Sequence, residues 1–205
     1  VKNGKIITRD QLKELIAEGN AEIYEVIRVI NRRPVFLKEH FNRMQKSIYL
    51  SGTKGALKFE DYKESVKLLI EENEFDNCNI RVSYYYKGKE VLLFYFIKSN
   101  YPSKEQFKTG VNTVTARIQR HNPNVKAFQK GFGEKIHQII EKDHAYEAIL
   151  INEDSTVSEG SKSNIFFIKG NSLVTPSDSA VLLGVTRSKV IEVYLCVHQV
   201  PSRYI

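Results

Sequence analysis

Apolar and polar positions alternate with a period of two over residues 23–30. This sets Ile23, Glu25, Ile27 and Val29 against Tyr24, Val26 and Arg28 and predicts a strand. Ahead of it, Leu12, Leu15 and Ile16 share one face of a short predicted helix, with Asp10 placed to cap it. Behind it, the turn Asn31-Arg32-Arg33-Pro34 leads into a second predicted strand over 35–37. The period then changes to that of a helix. Leu37, Phe41, Met44 and Ile48 form an apolar stripe over 38–50, and His40, Arg43 and Ser47 lie beside it at three- and four-residue steps. Gly52 supplies the stop. Phe59, Tyr62, Val66, Leu69 and Ile70 mark a further helix. Strands over 79–86 and 90–98 follow, joined as a hairpin through Lys87-Gly88-Lys89.

From residue 100 the periodicity lapses. Asn100-Tyr101-Pro102-Ser103-Lys104-Glu105-Gln106 is polar, holds a proline and has the character of a linker. We therefore divide the chain into an N-terminal domain over 1–100, a linker over 101–108 and a C-terminal domain over 109–205. The second domain opens on a strand over 111–118. The turn His121-Asn122-Pro123-Asn124 then delivers Val125-Lys126. A helix is predicted over 127–143, with Phe128, Phe132, Ile136, Ile139 and Ile140 inward, and Gly131 and Gly133 weaken its start. A buried strand over 147–152, a hairpin of 165–169 with 172–175 around Gly170-Asn171, and a last helix from Thr186 complete the pattern. The mixture is α/β (α+β).

Composition narrows the class. With 205 residues, 41% hydrophobic and 27% charged, the chain can bury a core. No apolar run approaches the ~20 residues of a membrane span, and the N-terminus has no apolar signal core, so a cytoplasmic protein is expected. Cys78 and Cys196 lie far apart without metal-type spacing and read as reduced thiols. The five histidines show no ligand spacing, so no metal is expected. The net charge of +7 comes from lysines scattered over polar faces, which reads first as solvated surface and second as attraction for anionic ligands, phosphate cofactors included. Tyr84-Tyr85-Tyr86 beside Arg81 and Lys87 mixes aromatics with cations, as nucleic-acid binders do. Strand alternation, however, divides those tyrosines between two faces, and no nucleic-acid motif surrounds them.

Three segments carry the candidate chemistry: Asn122-Pro123-Asn124-Val125-Lys126, then Ser158-Glu159-Gly160-Ser161-Lys162-Ser163-Asn164, then Leu183-Gly184-Val185-Thr186-Arg187. Each is weak evidence alone. A lysine that acts as a nucleophilic amine is activated by desolvation or a nearby cation, and Val125 and Phe128 give Lys126 an apolar flank. Gly184-Val185-Thr186 opens a helix, where outward N–H groups and the helix dipole favour an anion. Ser161 and Ser163 are turn hydroxyls.

The order and spacing of the three segments, with Tyr24-Glu25-Val26-Ile27-Arg28-Val29 and Phe36-Leu37-Lys38-Glu39-His40-Phe41-Asn42-Arg43, resemble the class IV pyridoxal-phosphate aminotransferases of fold type IV. That group includes branched-chain and D-amino-acid aminotransferases and aminodeoxychorismate lyase. The resemblance spans residues 23–193. It implies a two-domain fold binding pyridoxal 5'-phosphate between the domains, in a homodimer with sites near the interface. Lys126 would form the Schiff base and Glu159 would hold the ring nitrogen protonated. Gly160 would let the backbone approach the ring. Val185, Thr186 and Arg43 would hold the phosphate, Arg43 through the fork and permanent charge of its guanidinium. Tyr24 and Arg28, on one face of their strand, are the substrate-side candidates.

The implied reaction moves an amino group from an amino acid to a 2-oxo acid, by aldimine formation, proton shuttling through Lys126 and ketimine hydrolysis. The alternatives are the lyase, which uses the same lysine for elimination to 4-aminobenzoate and pyruvate, and a non-catalytic relic of the fold. Two departures stand out. Relatives carry a glycine-rich stretch before the Tyr-Glu strand, whereas residues 17–23 hold one glycine. Relatives also continue past the Gly-x-Thr-Arg helix with strands and a Ser/Thr loop that binds phosphate. No such loop precedes Ile205, so the C-terminal domain reads as shortened.

Overall fold

A computed structural model of the chain describes residues 1–17, 23–86, 88–198 and 203–204. The glycine-poor approach at 18–22 and Lys87 of the expected hairpin turn lie outside the described residues. The chain forms two compact units. The first holds 1–100 together with Val125–Phe128, and the second holds Tyr101–Asn124 and Gln129–Ile205. Lys126, expected in the C-terminal domain, thus belongs to a four-residue segment of the first unit.

In the first unit, α1 (Arg9–Ala17) precedes β1 (Ile23–Ile30), β2 (Arg33–Pro34), α2 (Leu37–Leu50), α3 (Phe59–Glu71), β3 (Cys78–Tyr86) and β4 (Glu90–Ile97). The sheet is antiparallel in the order β2-β1-β3-β4. Strand alternation gives it two faces. Ile27, Val29, Ile80, Val82 and Phe94 pack with Phe41, Met44 and Ile48 of α2 and Tyr62, Val66, Leu69 and Ile70 of α3. On the other face Tyr85, Val91 and Leu93 pack with Leu12 and Leu15 of α1. Tyr84 and Tyr85 therefore fill opposite cores, as their alternation requires. Among the described residues, no helix is long and apolar enough to cross a membrane.

Several local expectations change. The expected strand over 35–37 is replaced by the short β2, because Phe36 takes a left-handed conformation (φ 53) just before α2. Asn31 and Arg32 also have positive φ and turn the chain tightly. The Arg32 guanidinium then donates to the carbonyls of Ile70 (2.7 Å) and Asn73 (2.9 Å), at the C-terminal end of α3. Asp10 is not the cap of α1. The Thr8 hydroxyl accepts from Gln11 N–H and Gln11 Oε1 from Thr8 N–H, while Asp10 pairs with Lys13.

The second unit comprises α4 (Lys104–Thr109), β5 (Thr113–Arg117), α5 (Lys130–Lys142), β6 (Glu147–Ile151), β7 (Val157–Gly160), β8 (Phe167–Lys169), β9 (Ser172–Thr175), α6 (Val185–His198) and β10 (Arg203–Tyr204). Its strands form two sheets, β5-β6-β7 and β10-β9-β8. Ala116, Ala148 and Leu150 pack with Ile136 and flanking residues of α5. Where a linker was expected, α4 forms, because Ser103 and Gln106 make a reciprocal capping box. Helix α5 starts at Lys130 rather than 127, and Phe128, expected inward, is 50% exposed. Residues 125–128 are held instead by the first unit.

Candidate active site

Lys126 sits where β1 lacks a neighbour. Strand β2 covers only Val29 and Ile30, which leaves the edge at Ile23 and Tyr24 open. The segment 125–128 fills it. Tyr24 N–H donates to the Lys126 carbonyl (3.0 Å), and Ala127 bridges Ile23. Ala127 N–H closes back on the Val125 carbonyl (2.9 Å), turning the chain sharply at Lys126. The Lys126 N–H donates to Ser47 Oγ (3.1 Å) of α2. The Nζ stands 4.8 Å from the centroid of the Tyr24 ring. The expected apolar flank is therefore Val125 and Tyr24, not Phe128.

Glu25 interrupts the apolar face of β1 and is wholly buried. Arg43 donates to it through Nε (2.7 Å) and Nη2 (2.6 Å), and His40 Nδ1 lies 2.8 Å from Oε2. With Glu25 ionised, Nδ1 carries the proton and donates. Burial alone would raise the Glu25 carboxyl. The hydrogen bonds from Arg43 and His40, with the charges of Arg43 and Lys126, outweigh it and hold the group below its ordinary value. Burial first, and the Glu25 charge second, push the neighbouring Tyr62 phenol well up, so it stays neutral.

The sign of the Glu25 shift makes a prediction. A carboxyl whose folded pKa is depressed contributes stability above its unfolded value and loses it as pH falls through the folded one. Stability should therefore decline from about pH 4.3 downward. Glu25→Ala, which strands Arg43, should cost about 3–5 kcal/mol at pH 7. The cost should shrink as the pH falls through the lowered folded value and the carboxyl takes up its proton. Denaturant unfolding at stepped pH measures this, and a cost independent of pH would contradict the ionised pair.

Tyr24 and Arg28 share the other face of β1, which carries a line of polar groups. Arg81 of β3 lies over the Tyr24 ring (4.0 Å), Ser83 Oγ is 3.2 Å from the Tyr95 hydroxyl, and Arg28 donates to Ser99 Oγ (3.3 Å). Tyr24, Arg81 and Lys126 are thus gathered round one ring. Arg28 lies four positions further along the strand.

In the second unit, Glu159 is 3% exposed on β7. Arg120 Nε donates to Oε1 (2.8 Å), Leu182 N–H to Oε2 (3.0 Å) and Asn164 Nδ2 to Oε2 (3.4 Å). The Arg120 guanidinium also lies 4.5 Å from the Phe132 ring centroid and donates to the Ser161 carbonyl (3.3 Å). Lys162 N–H and the Ser161 and Ser163 hydroxyls all turn to Glu147. A Cβ on Gly160 would collide with Ser163 and Glu147, so the missing side chain serves the packing of this turn.

Asn164 joins that carboxylate to the start of α6. Its Nδ2 also donates to the Leu182 carbonyl (2.8 Å), and its Oδ1 occupies the place a Cβ on Gly184 would take. Ser188 N–H donates to the Gly184 carbonyl (2.9 Å). The amides of Val185 and Thr186 precede it and have no carbonyl four residues back inside the helix. Val185 is buried and Thr186 exposed. Arg187, buried, donates to Asp178 (2.8 Å) and to the Pro176 carbonyl (2.9 Å), bracing the loop that leads into α6. The buried carboxylate and the start of α6 are thus built on one framework.

Reading the sequence did not single out Glu25, Arg81, Arg120 or Asn164 as partners in these clusters. Glu25 carried a signal, a charge on an otherwise apolar strand face. Asn164 stood in a quoted motif without a role.

Residues 22–201 match the family described as amino-transferase class IV. A Thermotoga maritima protein named "Probable branched-chain-amino-acid aminotransferase" is 30% identical over 176 residues, covering 83% of this chain and 62% of its own. The chain thus spans less than two thirds of the length of that curated relative. Two solved structures share the fold. The Escherichia coli branched-chain amino acid aminotransferase has a TM-score of 0.82 at 19% identity, covering 99% of this chain and 75% of its own. A hypothetical aminotransferase from Mycobacterium tuberculosis, solved in its alpha-ketoglutarate and PMP bound form, has a TM-score of 0.74 at 16% identity, covering 90% of this chain and 71% of its own. The match runs from β1 through α6 and takes in the tethered lysine, the buried glutamate and the helix start, so the chain belongs to the class IV aminotransferase family, with the fold of type IV.

Proposed function

We propose that this chain binds pyridoxal 5'-phosphate and transfers an amino group from an amino acid to a 2-oxo acid. The observation that carries the reading is the link from buried Glu159, directly and through Asn164, to the Leu182 backbone in the loop that leads into the start of α6. The donor set fits the cofactor: a primary amine, a buried carboxylate and amides that accept an anion. When bound, the cofactor supplies an aldehyde and an electron-accepting pyridine ring. Lys126 offers the amine and carries the proton to and from the substrate α-carbon. Glu159 would keep a proton on the ring nitrogen. Val185 and Thr186 would hold the phosphate, with Arg43, which also pairs with Glu25, as its charged partner. Tyr24, Arg28 and Arg81 present hydroxyl and cationic groups suited to a substrate carboxylate. The ligands held by the relatives, and the family's amino-acid substrates, support this assignment.

The test is a panel of L- and D-amino acids with 2-oxo acid acceptors, run beside pyruvate release from aminodeoxychorismate. Formation of 2-oxo acid from the amino donor is expected. Pyruvate release alone would transfer the assignment to the lyase, and neither product from cofactor-loaded protein would overturn the catalytic reading.

Replacing Thr186 and Arg43 together by alanine should weaken cofactor binding without changing the colour of what still binds, and should also lower stability, because Arg43 is the guanidinium partner of buried Glu25, so binding is read where the variant is folded. Removing a charge-assisted hydrogen bond costs about 1.5–3 kcal/mol, so the pair should weaken affinity roughly a hundredfold to ten-thousandfold. A cofactor titration measures this. An unchanged dissociation constant would remove both residues from the phosphate site.

A further inference from the structure

Helix α2 carries His40, Arg43 and Ser47 on one face, His40 and Ser47 buried and Arg43 half-buried. His40 and Arg43 close on Glu25, while Ser47, wholly buried, gives its hydroxyl oxygen to the Lys126 N–H. We propose that Ser47 is a positioning residue for the reactive amine: its hydroxyl registers the Lys126 backbone against the helix that also carries Arg43. This rests on the reading of Lys126 as the amine.

Residues 125–128 belong to no helix or strand, so their place is set by hydrogen bonds to neighbours. The Lys126 carbonyl and Ala127 are held by β1, the sheet edge. Those bonds fix the segment along the strand direction. The Ser47 bond reaches the Lys126 N–H from a different element, α2, and fixes the segment across it. Ser47 lies one helical turn from Arg43, and neighbours at that spacing share a face of a rigid cylinder. The backbone of the amine and the guanidinium expected to meet the phosphate are therefore set by one helix. A backbone N–H deprived of its acceptor at a half-buried position turns toward water when it can, and the attached side chain swings with it.

Ser47→Ala removes one oxygen, and alanine favours the helix, so α2 should persist. The experiment uses the full chain. Hydrogen exchange reports the Lys126 amide and the α2 amides. In parallel, pyridoxal 5'-phosphate is added, trapped with borohydride, and the adduct at Lys126 is timed by mass spectrometry. Ser47→Ala should expose the Lys126 amide and slow adduct formation about five- to tenfold, the effect of one hydrogen bond. The α2 amides should keep their protection, and Ser47→Thr, which keeps an acceptor, should recover part of the rate. Wild-type protein with no adduct at Lys126 would refute the amine reading itself. An adduct rate unchanged in Ser47→Ala, whatever the amide does, overturns the positioning role. Loss of protection throughout α2 overturns it too, because the serine would then act only on folding.

Discussion

Lys126→Ala will form no borohydride-stable adduct with pyridoxal 5'-phosphate, and its turnover will fall at least about 10⁴-fold, since both a covalent and a proton-transfer role are lost. The fold should survive. The backbone bonds of Lys126 to Tyr24 and Ser47 do not involve its side chain, and alanine can make them equally well. What disappears is the amine above the Tyr24 ring and one positive charge near Glu25. Arg43 and His40 still satisfy that carboxylate, so the change in stability should be small. Cofactor should still bind weakly through the helix start and Arg43, giving a spectrum of free aldehyde. Peptide mapping of reduced wild-type protein is the decisive control. An adduct on another lysine would sink the assignment, and so would a Lys126→Ala protein that keeps its turnover.

Glu159→Gln separates binding from chemistry. Glutamine has nearly the same shape and still accepts a hydrogen bond, but it carries no charge to hold a proton on the ring nitrogen. If that charge contributes about 3–5 kcal/mol in the transition state, proton removal from the substrate slows about 10²–10³-fold or somewhat more. The structure adds a second effect. Arg120 is paired with Glu159 at 2.8 Å in a buried setting, and glutamine leaves that guanidinium uncompensated. Breaking such a pair costs about 3–5 kcal/mol of stability. The melting temperature should therefore fall alongside the rate, while the protein remains coloured. Single-turnover kinetics at a temperature where the variant is folded isolate the chemical step. A wild-type rate there would make Glu159 a structural partner of Arg120 and nothing more.

How far the sequence disclosed this depends on the range of the forces involved. Strand β1 and helix α2 were legible because periodic burial writes itself into neighbouring residues, and the ends of β9 were legible because Gly170-Asn171 and Pro176 bracket it. The capping box at Ser103 was legible too, but a proline and missing apolar residues drew the reading toward a linker. The placement of Val125–Phe128 was not legible. It depends on an open strand edge far back in the chain, at Ile23 and Tyr24, and no local pattern records that. For the same reason Phe128 looked like the first inward residue of a helix. Glu25 shows the intermediate case. Its alternation put it on the buried face, but the partners that make burial tolerable sit on another element, and only folding brings Arg43 and His40 to it. Arg120 carries no local signal, because its partners, Glu159 and the Ser161 carbonyl, lie far along the chain.

The four-residue segment that completes β1 has a consequence for how the chain emerges from the ribosome. Everything else in the first unit is contained in residues 1–100, so its two cores can close while the rest is still being translated. The edge at Ile23 and Tyr24 stays unpaired until Lys126 and Ala127 arrive, roughly 25 residues later, or about one to five seconds at ordinary elongation rates. An open edge is a template for any other extended chain nearby. The nascent protein is thus most prone to mispairing during that interval, and the same peptide that brings the reactive lysine ends it.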